Sequence, residues 1–241
     1  MRRMSLIPTT QTRWREFLAG CRDETPILLG VFPFGMIYGV LALGAGLPLF
    51  AAQAMSSVVF AGSAQLITTQ LIRDGSPGLV IVLTVFVVNL RHALYSASVA
   101  PYLQPLSLGW KALLAYLLTD EAYAVVITRY SRDDEQRVAP PNRHWYFLGA
   151  GLTLWCSWQL STAAGLFLGA QVPENWSLDF TLALTFIALV FPALKDRAGA
   201  ASALSAGVAA VLAYGLEYRL GLVLAALIGI VVGLGVEASR S

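Results

Sequence analysis

The stretch VVNLRHALYSASVAPY, Val87 to Tyr102, decides how this chain is read. It continues an apolar run that begins near Leu79, yet it carries Asn89, Arg91, His92, Tyr95 and Tyr102. The surroundings are not those of a soluble domain. Of the 241 residues 57% are hydrophobic and 12% charged, where an average soluble domain is about 25% charged. Apolar segments of about 20 residues recur along the chain, each long enough to cross a ~30 Å hydrocarbon core. The expected fold is an all-α polytopic membrane helical bundle with some broken helices. Arg91 is then a charge set where lipid should be.

About eight spans are expected, at 27–47, 51–72, 79–101, 110–128, 146–169, 180–195, 198–216 and 220–237. Residues 1–24 read as a basic cytoplasmic segment without the apolar core of a signal peptide. Within it Trp14, Phe17, Leu18 and Cys21 recur at helical spacing beside Arg13, Arg15 and Arg22, which suits a short interfacial helix, with a disordered basic leader as the alternative. Residues 25–240 read as one transporter domain. The polar loop 129–145 separates the first four spans (27–128) from the last four (146–237). With the N-terminus in the cytoplasm, Lys111 and Arg219 are the only basic residues left in outer loops, as the positive-inside rule requires. Cys21 and Cys156 are far apart and form no disulfide or metal pattern.

Arg91 lies about 18 Å along its helix from Leu79 at ~1.5 Å per residue, near mid-membrane. A charge there costs about 2.5–3.5 kcal/mol on insertion scales, so Arg91 needs a partner facing protein or water. Asp120 and Glu121 sit about 15 Å into the next span from Trp110. If the third span runs outward and the fourth inward, side by side, Arg91 meets Asp120 or Glu121. Asp120 is expected to share a helix face with Tyr116 and Tyr123, and Glu121 to point about 100° away. A structural lock between two helices is one reading of such a pair. Two acids, an arginine and His92 at one depth favour a substrate or proton path. His92 suits a proton relay near neutral pH or a fixed hydrogen bond.

Other irregularities lie in the first, second and fifth spans. GVFPFGMIYG places Pro33 inside the first span, where it removes a helical hydrogen bond. AQAMSSVVFAGSAQLITTQL is rich in hydroxyls and amides, with Gln65 the foremost polar candidate and Gly62–Ser63 a candidate unwound point. Trp155, Trp158, Gln159 and Ser161 cluster near mid-depth in the fifth span. Gly35/Gly39, Gly165/Gly169 and Gly229/Gly233 have the G-x-x-x-G spacing that lets helix backbones approach.

FPFGMIYG, MSSVVFAGSAQL, NLRHALYS and LTDEAYA, in that order between about Glu24 and Val126, resemble the AzlC family of bacterial branched-chain amino-acid exporters. The resemblance implies export of valine, leucine or isoleucine across the bacterial cytoplasmic (inner) membrane, and a small membrane partner protein of AzlD type. It singles out Pro33, Gly35, Gly39, Gly62, Gln65, Asn89, Arg91, His92, Asp120 and Glu121. Physical reasoning then expects a secondary transporter, because no Walker A loop is present for ATP use; proton coupling is expected through Asp120, Glu121 or His92, and no cofactor is expected. The zwitterion's carboxylate suits Arg91 and its ammonium suits Asp120, with Phe34, Phe60 and Trp158 as an apolar wall. A passive channel or scaffold subunit is the alternative. An intramembrane hydrolase finds no G-x-S-G, only Ala61-Gly62-Ser63-Ala64. No nucleic-acid partner, metal site or enzyme activity is expected.

Overall fold

The computed structural model describes residues 9–136, 142–170, 197–216 and 220–239. The expected sixth span, 180–195, lies outside them. The described residues form helices and no strand: α1 Thr9–Glu24, a 3-10 turn Thr25–Ile27, α2 Leu28–Gly44, α3 Leu49–Val59, α4 Gly62–Arg73, α5 Gly78–Leu103, α6 Leu108–Tyr116, α7 Asp120–Glu135, α8 Arg143–Gly169, α9 Arg197–Leu212 and α10 Leu220–Ala238. Three stretches among them are long and apolar enough to cross a bilayer: Arg13–Gly44, Gly78–Leu103 and Leu220–Ala238.

Two compact units are present, one drawn from Met1–Leu66 and Val88–Gln171, the other from Ile67–Val87 and Val172–Ser241. In the first, α1 and α2 run parallel to α8. Gly20 packs on the backbone of Tyr146 and Ala150, Gly35 on Ser161 and Trp158, and Gly39 on Thr162 and Leu166, while Gly169 packs on Val40. Both G-x-x-x-G pairs thus face each other across one seam. A Cβ on Gly165 would collide with the backbone of Met36, so the small residues permit the close approach. Helix α1, in the segment read as a short interfacial helix, continues through the Pro26-containing 3-10 turn into α2 and packs on α8, because Gly20 and Gly149 remove the side chains that would hold them apart.

Two expected spans are broken. The second splits into α3 and α4 at Phe60, which has φ 40° and so sits in the left-handed region. Bulky residues rarely adopt this conformation. The fourth splits into α6 and α7 at Leu117–Thr119. Here the geometry departs from a pair of adjacent crossings. Trp110, at the start of α6, packs on His144 and Trp145 with ring centroids 4.8 and 5.2 Å away. Tyr130, late in α7, donates to the Arg143 carbonyl at 2.9 Å. Arg143 also donates to the Tyr102 carbonyl at 3.2 Å, beside the end of α5. The end of α5, the start of α6, the end of α7 and the start of α8 therefore share one level. The α6–α7 pair is a hairpin whose tip, at Leu117, packs on Gly151 in α8. The connection 104–107 lies beside the start of α8, whereas the sequence reading set 101–110 opposite 129–145. Hydropathy sees the same apolar length in one helix as in two half-helices.

Along α5 an apolar stripe, Leu79, Val82, Leu83, Phe86, Leu90 and Leu94, is exposed. Its spacing marks one helix face, the one suited to lipid. In the second unit α9 and α10 form an antiparallel pair. Gly229 packs on Ala206 and Ser202, and Ser202 Oγ donates to the Gly229 carbonyl at 2.7 Å.

Candidate functional site

The site is assembled where two broken helices restart. Helix α4 begins at Gly62, just after the left-handed Phe60, and α7 begins at Asp120. Thr119 caps α7, its Oγ1 accepting from the Ala122 amide at 3.3 Å. That places Asp120 and Glu121 in the first turn of α7, where the free amides and helix dipole favour negative charge. Arg91, midway along α5, joins the two restarts. Its Nη1 donates to Asp120 Oδ2 at 3.1 Å and its Nη2 donates to Ser63 Oγ at 3.3 Å. The Arg91 and Asp120 side chains remain 27% and 42% exposed, so a ligand can reach the pair. Arg91 Nε and Asn89 Oδ1 are buried without a hydrogen-bond partner among the described residues.

Aromatic side chains surround these restarts. Phe34 and Trp158 lie 6.1 Å apart, and both border Gly62, where a Cβ would crowd the Trp158 ring at 2.8 Å. Trp158 Nε1 donates to Gln65 Oε1 at 3.1 Å, fixing the fully buried Gln65. Phe60 packs on Tyr116 with centroids 5.9 Å apart. Tyr116 donates to the Ser57 carbonyl and accepts from Trp155 Nε1. Next to them Gln159 accepts from both Gln53 Nε2 and Ser57 Oγ at 2.8 Å. The tips of both broken helices are thereby tied to α8.

Of the residues expected from sequence, Arg91, Asp120 and Gly62 are brought together, and Gln65 and Pro33-containing α2 line the aromatic side of the restarts. Gly35 and Gly39, singled out for packing, lie in the α2–α8 seam. His92 turns to its own helix: Nδ1 is 3.2 Å from the Asn89 carbonyl and the ring meets Tyr95 edge-on at 5.9 Å. The expected Tyr116–Asp120–Tyr123 face is corrected, because the helix breaks between Tyr116 and Asp120. Tyr123 stacks on Tyr95 at 4.6 Å and donates to Ser98 at 3.0 Å. Sequence reasoning missed Ser63 as an Arg91 partner and Tyr116 as the tether of the hairpin tip. The proximity of Ser63 to Gly62 was a usable signal; nothing local marked Tyr116. Among the described residues no group of acids, histidines and cysteines is placed to hold a metal ion.

The family described as AzlC protein matches residues 26–172, more than half of the chain. The chain belongs to the AzlC family. A membrane protein of Archaeoglobus fulgidus, itself uncharacterized, is 30% identical over 88% of this chain and 92% of its own length. Inner membrane protein YgaZ of Escherichia coli is 27% identical over 75% of this chain and 74% of its own. An uncharacterized membrane protein of Helicobacter pylori is 30% identical over 46% of this chain and 50% of its own. No solved structure matches. As an AzlC protein, the chain is a multi-pass membrane protein of transporter type. The matched region contains both broken helices, α5 and the whole of α8.

Proposed function

We propose that this AzlC protein is a secondary transporter that exports branched-chain amino acids across the bacterial cytoplasmic membrane, driven by protons and working with a small AzlD-type partner. The observation that carries the reading is Arg91 held between the first turns of two half-helices, α4 and α7. A zwitterion needs an anion site and a cation site a few ångströms apart. The N-terminal end of α4, with Arg91, suits its carboxylate. Asp120 suits its ammonium. Phe34, Phe60 and Trp158 offer an apolar wall for a branched side chain. Binding exchanges the Arg91–Asp120 contact for contacts to the substrate, so the occupied and empty states differ in charge pairing.

A cavity of about 260 Å3 opens between α5, α6 and α8 on the side where α8 begins. Val99, Leu114, Leu118 and Phe147 line it, with Lys111 and Gln104 as polar groups. With the loop before α8 in the cytoplasm, this cavity is a waiting place for an apolar amino acid on the inner side, and the α6–α7 hairpin is the inner gate.

The test is intracellular amino-acid accumulation in a deletion strain fed branched-chain dipeptides, with the chain expressed alone and with its small partner. Export lowers accumulation, most with the partner present. Unchanged accumulation in both arms sinks the reading. A passive channel is the competing mechanism, and uphill accumulation in vesicles under an imposed pH gradient separates the two.

A further inference from the structure

Glu24 is the last residue of α1, and its side chain is completely enclosed. Both carboxylate oxygens lack a hydrogen-bond partner among the described residues. Its electrostatic neighbour is Glu121, another acid, across the α1–α7 packing. From α8 Tyr146 faces the same place, and its hydroxyl donates to Asp23 at 2.8 Å. Further along α7 is Arg129, whose guanidinium is taken up by Asp133 at 3.0 Å and Glu16 at 3.8 Å. Beside Glu24 on its own helix is Arg22, whose side chain is exposed. Glu121 in turn is near Asp120 and hydrogen-bonded to Thr119 at the hairpin tip. Arg91 is engaged with Asp120. A row of acids thus runs Asp120, Glu121, Glu24, with Arg91 at the Asp120 end.

An ionised carboxylate enclosed without donors or a cation carries a large desolvation cost, and two such groups together cannot both ionise readily. We propose that Glu24 and Glu121 form a proton-binding pair that takes up and releases the coupling proton while Arg91 stays engaged with Asp120. This rests on the transporter reading above. Released, the pair holds one proton between its two carboxyl groups; loaded, it is two neutral acids. Because Glu121 shares the first turn of α7 with Asp120, a change of charge on the pair acts on the hairpin tip that contacts Arg91.

Two measurements test the pair. Dicyclohexylcarbodiimide reacts with protonated carboxyl groups in apolar surroundings. In the full chain in liposomes it is expected to modify Glu24 or Glu121, read by peptide mass mapping, with the yield falling as pH is raised from mildly acidic to mildly alkaline. Absence of modification at both acids across that range overturns the proposal. In the same liposomes Glu24→Gln is expected to keep leucine exchange down no pH gradient and to lose accumulation driven by one. Wild-type driven accumulation in Glu24→Gln also overturns it. If the variant fails to insert, the labelling of the wild-type chain decides alone. Labelling without any leucine movement by the wild type supports the pair and removes the amino-acid reading instead.

Discussion

Arg91 stands out in the sequence as an exception, because charge at mid-membrane is costly and needs a reason. Depth along the helices also pointed to its partner: Arg91 donates to Asp120 at 3.1 Å. The reason differs from the one expected. Two adjacent full crossings do not bring the pair level; a helix restarts at Asp120 and its first turn is aimed at Arg91. Glu24 escaped notice because an assumed span edge at residue 27 left it in water. Under the proposed mechanism Arg91→Ala and Asp120→Asn each abolish export while membrane levels stay near wild type. Arg91→Lys keeps the charge but loses the forked geometry that reaches Asp120 and Ser63 at once. A lost charge-assisted hydrogen bond of about 1.5–3 kcal/mol implies export reduced roughly tenfold or more. Immunoblotting of membranes beside efflux assays checks all three, and near-normal efflux by Arg91→Ala removes Arg91 from the site.

At the scale of the element, composition identifies helices but not their breaks. Phe60 is not a residue that announces a left-handed turn, and Leu117–Leu118 looks like helix interior. What holds the breaks is long-range: Tyr116 bonded to Ser57 and Trp155, Phe60 packed on Tyr116, Gly62 under Trp158. Tyr116→Phe removes two hydrogen bonds, each worth about 0.5–1.5 kcal/mol. Hydrogen exchange at the amides of Leu117 to Asp120 is expected to quicken, with little change in the rest of α6 and α7. Equal protection in the variant argues against the tether. The α2–α8 seam makes the opposite case, because G-x-x-x-G is readable as spacing, and the structure supplies which helices use it. Gly165→Leu places a large side chain against the Met36 backbone. Overpacking of this kind costs about 1–3 kcal/mol or more, to be read as a lower melting temperature in detergent. Gly207→Leu, with open space at its Cβ, is the control and is expected to leave it unchanged.

For the whole molecule the sidedness of the connections is the decisive matter. The connection before α6 and the loop before α8 share one level, through Trp110 with His144 and Trp145 and through Arg143 with Tyr102. The parallel α2 and α8 put the connection after α2 at the other end of that seam. In a background with Cys21 and Cys156 replaced by serine, Ser107→Cys and Asn142→Cys are expected to react with an impermeant maleimide from the same face of the membrane. Ala45→Cys is expected to react from the opposite face. Reaction of Ser107→Cys together with Ala45→Cys would restore a full crossing between α5 and α7.

The all-α membrane class, the family and the meeting of Arg91 with one of the two neighbouring acids were determined by the sequence alone. They rest on local quantities: apolar length, the cost of a charge in hydrocarbon, and motif order. The tertiary structure decided which apolar lengths are whole helices and which are half-helices meeting at a tip. It also decided that Ser63 shares Arg91 with Asp120, and that Glu24 is fully enclosed with no hydrogen-bond partner among the described residues. A half-helix and a full one have the same hydropathy, and a break is held by contacts from residues such as Trp155 and Trp158, far away in the chain. Only the packed molecule contains that information.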